Sequence, residues 1–131
     1  MKNILIATIT LIALAPAAHA SEIASLDCMA SNGVTMKGSA DAGQPLTVHT
    51  QWGVFKKDFT ASIAETSTAD QLVVSLNSDK GAEFVLTFAT HSKPVVINED
   101  RKLSGMIARP STIRGGQPTP VAFVACTVSV R

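Results

Sequence analysis

The sequence predicts an all-β fold, a small antiparallel β-barrel or β-sandwich of about eight strands after an N-terminal signal peptide. Three observations predict it. Val, Ile, Thr and Phe recur at period two in short segments spaced about ten residues apart. The breaks between them carry turn chemistry at Asn32-Gly33, Asp41-Ala42-Gly43, Asn77 to Gly81 and Lys93-Pro94. Two cysteines, Cys28 and Cys126, lie near the two ends of the chain once the leader is set aside, each within an alternating apolar run.

The leader is read first because it does not belong to the fold. Lys2 supplies a positive start, Ile4 to Ala15 form an uncharged apolar stretch, and Ala18-His19-Ala20 is a small-x-small cleavage site. Residues 1–20 are thus expected to be a cleaved signal peptide, leaving 21–131 as a single all-β domain. The apolar stretch is about a dozen residues, short of the roughly 20 that a spanning helix needs, so no transmembrane segment is expected in the mature chain. The short leader with one lysine points to a bacterial periplasm or the external medium.

Strands are expected over 33–40, 45–52, 59–65, 71–77, 83–90, 94–98, 102–108 and 120–130, with one more around Cys28. "QLVVSLN" and "EFVLTFA", separated by the break at Asn77 to Gly81, form the clearest hairpin. A helix across "FTASIAETSTADQL" competes, since Phe59 and Ile63 are four apart, but its Ser and Thr content and the alternation of Phe59, Ala61 and Ile63 favour a strand. One Trp, five Phe and no Tyr are too few for the aromatic girdles of a membrane barrel or for a base- or sugar-stacking platform. Trp52 is accordingly expected in the core or half-buried.

Cys28 shares an apolar face with Leu26 and Ala30, and Cys126 with Ala122, Val124, Val128 and Val130. In an oxidising compartment the pair is expected to form a disulfide between first and last strands, closing a loop of about a hundred residues, for which chain entropy suggests on the order of 4 kcal/mol. Two buried free thiols are the alternative. Tight Cys spacing such as C-x-x-C is absent, which argues against a cysteine metal site.

Charge excludes some partners. Without Lys2, ten basic side chains face ten acidic ones, so no nucleic-acid partner is expected. The distribution is uneven: residues 101–131 hold five basic and no acidic side chains. Catalytic patterns are lacking. His49 alternates away from Leu46, Val48 and Trp52 and reads as a solvated strand position, His91 reads as a turn residue, and no serine has a nucleophile-elbow context. The chain is therefore read as non-enzymatic and without a cofactor. Met29, Met36, Met106, His49 and Trp52 are residue types found in periplasmic copper carriers, because thioether and imidazole suit Cu(I), which makes a copper carrier one alternative.

The stretch singled out for contact is "ARPSTIRGGQPTP", residues 108–120. A loop of about a dozen residues in a compact domain is long enough to be functional. Arg109 and Arg114 are its charges, suited to carboxylate or phosphate, while Gly115 and Gly116 give it a mobile or tightly turned middle. The alternative is a solvated connection. These residues form the candidate partner-binding loop, with a protein of the cell envelope as the expected partner.

A small exported antiparallel barrel with cysteines near both ends resembles the periplasmic inhibitors of C-type lysozyme, whose signature begins Ser-Gly-x-x-Tyr. Here Ser104-Gly105-Met106-Ile107-Ala108 matches the Ser-Gly pair, with alanine where the tyrosine stands. The resemblance implies an inhibitor of a lysozyme-like hydrolase that inserts a polar loop into an acidic cleft.

Overall fold

The computed structural model describes residues 22–90 and 95–131. The signal-peptide expectation, the cleavage point before Ser21 and His91 lie outside those residues. Eight strands follow in order: β1 (Ile23–Ala30), β2 (Thr35–Ser39), β3 (Leu46–Trp52), β4 (Phe55–Ile63), β5 (Gln71–Ser78), β6 (Gly81–Ala89), β7 (Arg101–Arg109) and β8 (Thr119–Val130). Each pairs antiparallel with its chain neighbour, and β8 returns to pair with β1, so the sheet closes into a barrel. Closure leaves no sheet edge around the wall and decides barrel over sandwich.

Alternation decides which side chains fill the interior. Leu26 and Cys28, Leu46 and Val48, Phe59 and Ala61, Leu72, Val74 and Leu76, Leu86 and Phe88, and Val124, Cys126, Val128 and Val130 all point inward and form one core. Outward positions of the same strands carry Asp27, Thr47, His49, Thr60 and Lys102, which are exposed. The interior is apolar and packed, the reverse of a membrane barrel with its polar lumen. No helix among the described residues is long and apolar enough to cross a membrane.

The seam between β1 and β8 carries the two cysteines. Cys28 and Cys126 are direct register partners, with Cα atoms 4.1 Å apart and sulfurs 2.00 Å apart, a bonded pair 98 residues apart in sequence. Beyond the seam, at the end of the barrel where the chain enters and leaves, Arg131 donates from Nε to Glu22 Oε1 at 2.7 Å and from its terminal guanidinium nitrogen to the Ala40 carbonyl. Glu22 and Arg131 also exchange backbone hydrogen bonds of 3.0 and 3.2 Å. The first and last described residues are thus clasped together.

Two expectations about elements change. The strand expected over 94–98 is absent from residues 95–98. Val96 accepts a turn hydrogen bond from Glu99, Asn98 takes a positive φ of 66°, and its N–H donates to the Val130 carbonyl, so the short apolar run docks on the end of β8 instead of pairing. In the other direction, β4 begins at Phe55 rather than Phe59. Trp52 pairs with Phe55 across a two-residue Gly53-Val54 turn, and Gly53 alone of the two has positive φ, 61°, the pattern of a type II′ hairpin. "KKD" at 56–58 had hidden this strand by interrupting the apolar alternation. The competing helix over 59–72 does not form: β4 runs to Ile63 and a turn leads to β5.

Candidate functional site

In an up-and-down barrel every second connection lies at the same end. The turns at 31–34, 53–54 and 79–80 therefore share an end with the 110–118 loop. Arg109 is the last residue of β7, its guanidinium 5.2 Å from the centre of the Phe84 ring. Arg114, Gly115 and Gly116 lie in the loop and are exposed.

The loop is a built turn. Ser111 Oγ accepts from the Ile113 N–H at 3.0 Å and donates to the Ile113 carbonyl at 3.1 Å, and the Gly116 N–H donates to that same carbonyl at 2.9 Å. Gly115 takes a φ of 75°, and Gly116 sits so close to Ser111 that a Cβ would collide with its hydroxyl. Of the two middles that a Gly-Gly pair permits, the structure has the tight one, and it raises Ile113 and Arg114 into solvent.

The β3–β4 hairpin stands over the same opening. Its residues keep the alternation of the barrel, so Trp52, Thr50, Phe55 and Lys57 continue the inward face of Val48 and Phe59. β2 follows β3 up to Gln51, but the β4–β5 ladder begins only at Thr60 paired with Asn77, so the hairpin overshoots the wall on its β4 side and its inner face overhangs the mouth there. Trp52 is consequently 59% exposed and Phe55 71%, their ring centroids 6.4 Å apart, with Val54 at the tip 89% exposed. The expectation that Trp52 would be in the core or half-buried is corrected here. Its parity is that of a core residue, but its position along the strand is past the end of the core.

Below the hairpin is a cavity of about 500 Å³. Its floor is the buried pair Met36 and Leu76, its wall includes Phe59, Phe84 and Ile107, and its rim carries Trp52, Phe55 and Val121. The charged residues lining it are Lys56, Lys57 and Arg109, all basic. Lys57 Nζ holds Glu83 at 3.0 Å and lies 5.3 Å from the centre of Phe59, which itself meets Phe84 edge-on. Hydrogen bonding from the Ser78 hydroxyl, and then from Lys57, keeps the Glu83 carboxyl below its ordinary range. Sequence reasoning missed Lys56, Lys57, Phe55 and Phe84. The one available signal was Gly53 between two aromatic-bearing segments, a hairpin turn read as a loop.

The copper-type residues are divided by the barrel wall. Met36 and Trp52 face the interior and mouth, whereas Met29, Met106 and His49 alternate outward, and His49 Nδ1 is 2.8 Å from Asp58. Among the described residues no cluster of His, Cys, Asp and Glu is placed to hold a metal ion. The Ser104-Gly105 pair lies in the middle of β7, away from any loop, and a Cβ on Gly105 would collide with the Thr87 carbonyl oxygen and the Phe88 ring. That close approach of β7 to β6 accounts for the glycine as a packing residue. No protein-family model matches this chain, and neither a curated protein nor a solved structure is significantly similar to it.

Proposed function

We propose that the chain is an exported, non-enzymatic binding domain, released behind residue 20 into the periplasm or the medium, that contacts a protein of the cell envelope through the mouth end of its barrel. The observation that carries the reading is an asymmetry. Trp52, Val54, Phe55 and Ile113, the last 74% exposed, crowd the end that also bears Arg109 and Arg114, whereas the opposite end exposes Ile97 as its one large apolar side chain among the described residues. Exposed apolar clusters with Trp and Arg among them have the composition of interface hot spots.

The test compares capture from the native cell's envelope extract by the immobilised parent, by Trp52→Ser with Phe55→Ser, by Arg109→Ala with Arg114→Ala, and by Lys37→Ala as a wall control. A partner held by the parent and the control and lost from both mouth variants is the expected result. Equal capture by all four removes the reading. The braced turn at Ser111 to Gly116 that raises Arg114 favours a narrower version, in which the partner is a lysozyme-like hydrolase with an acidic cleft. The narrower version predicts that the parent slows such an enzyme's clearing of cell walls, and an inert parent eliminates it.

A further inference from the structure

The cavity offers something that the loop tips do not: an apolar groove open to solvent at the barrel mouth. Trp52 and Phe55 stand exposed on its rim, Ile107 lines its wall, and Met36 and Leu76, almost wholly shielded, close it toward the core. Its volume of about 500 Å³ lies within the range of roughly 300 to 1,000 Å³ typical of small-molecule sites, and barrel mouths are one of the places where such sites occur.

Charge then narrows the ligand. Glu83 offsets Lys57 and the strand alternation turns Lys56 outward, which leaves Arg109 as the uncompensated charge facing the groove. Arg109 lies over the Phe84 face, its guanidinium carbon 5.2 Å from the ring centre. A carboxylate is the group that such a fork binds in two-point fashion. A cationic head would meet a like charge there.

We propose that the barrel mouth binds a free single-chain amphiphile with an anionic head, of the fatty-carboxylate class, its chain along the apolar groove and its carboxylate at Arg109. The proposal is independent of the protein-contact reading, since carboxylate binding can succeed where partner capture fails, and the reverse.

Trp52 is the sole tryptophan of the chain and stands on the rim, which makes it a built-in reporter. The experiment titrates the disulfide-intact mature protein with monomeric dodecanoate, decanoate and dodecyltrimethylammonium, reading Trp52 emission, with calorimetry as a second readout that does not depend on the tryptophan. The expected result is saturable one-to-one binding of dodecanoate, tighter than decanoate by up to about fifteenfold for two added methylenes. Arg109→Gln should weaken dodecanoate at least tenfold while leaving the thermal midpoint near that of the parent. Saturation by dodecyltrimethylammonium with equal affinity, or no saturable binding of dodecanoate by either readout, overturns the proposal. Sedimentation with phosphatidylglycerol vesicles in the absence of dodecanoate binding overturns it in favour of a membrane-surface contact.

Discussion

Glu22 and Arg131 illustrate how single residues acquire roles from partners distant in sequence. The Arg131 guanidinium beside Glu22, followed by the Gly43 N–H, holds the Glu22 carboxyl below the ordinary glutamate value of 4.5, and the Ser78 hydroxyl and Lys57 do the same for Glu83. A carboxyl with a depressed folded-state pKa contributes stability above its unfolded pKa, and that contribution disappears as pH falls through the folded value. Acid should therefore weaken the fold below about pH 4.5, and the doubly substituted Glu22→Gln, Glu83→Gln protein should show a flatter dependence in urea unfolding between about pH 5 and pH 3. An unchanged slope would show that neither carboxyl is linked to folding. Gly105 works differently, through absence: its missing Cβ lets β7 lie against Thr87 and Phe88.

At the scale of elements, the β3–β4 hairpin is one structure with two environments. Phe59 at its base is buried and edge-on to Phe84, whereas Trp52 and Phe55 at its tip have the same facing but no core beneath them. Burial, not residue type, sets the cost of truncation. Phe59→Ala should lower unfolding free energy by about 3 to 5 kcal/mol. Trp52→Ser with Phe55→Ser should change it by no more than about 1 kcal/mol, since surface substitutions stay within roughly half a kcal/mol each. Chemical denaturation of the two variants checks this, and a large loss from the tip variant would mean that the aromatic pair is structural. The β7–β8 loop shares the combination of firm base and exposed tip, with Ser111 bracing the turn that raises Ile113 and Arg114.

For the molecule as a whole, the decisive contact is the seam. Seven of the strand pairings join chain neighbours, while the eighth brings β8 back to β1 and must order nearly the entire chain before it forms. The Cys28–Cys126 bond spans that pairing, and a closed loop of 98 residues corresponds to roughly 4 to 5 kcal/mol of chain entropy in the unfolded state. Cys28→Ala with Cys126→Ala should cost about 2 to 5 kcal/mol in unfolding free energy. A cost near zero would mean that the seam and its Glu22–Arg131 clasp hold without the bond. Ion pairs also redistribute charge. The basic segment 101–131 is partly neutralised by acidic groups from outside it, Arg131 by Glu22 and Arg101 by Glu99 at 3.6 Å, so the polarity read along the chain survives chiefly at the mouth, around Arg109 and Arg114.

Alternation along each strand was enough to determine the all-β class, most strand positions and the inward direction of both cysteines, because facing depends only on local backbone geometry. Barrel closure, the register that sets Cys28 against Cys126, and the loss of the 94–98 strand to a turn docked on β8 were decided by contacts between distant segments. The site divides in the same way. Arg109, Arg114 and the glycine turn were legible because loops announce themselves in composition, while Phe84, Lys56 and the exposed Trp52 were not. An inward-facing side chain is buried only where the opposite wall reaches as far as its own strand, and how far each strand extends past its neighbours is a property of the assembled barrel alone.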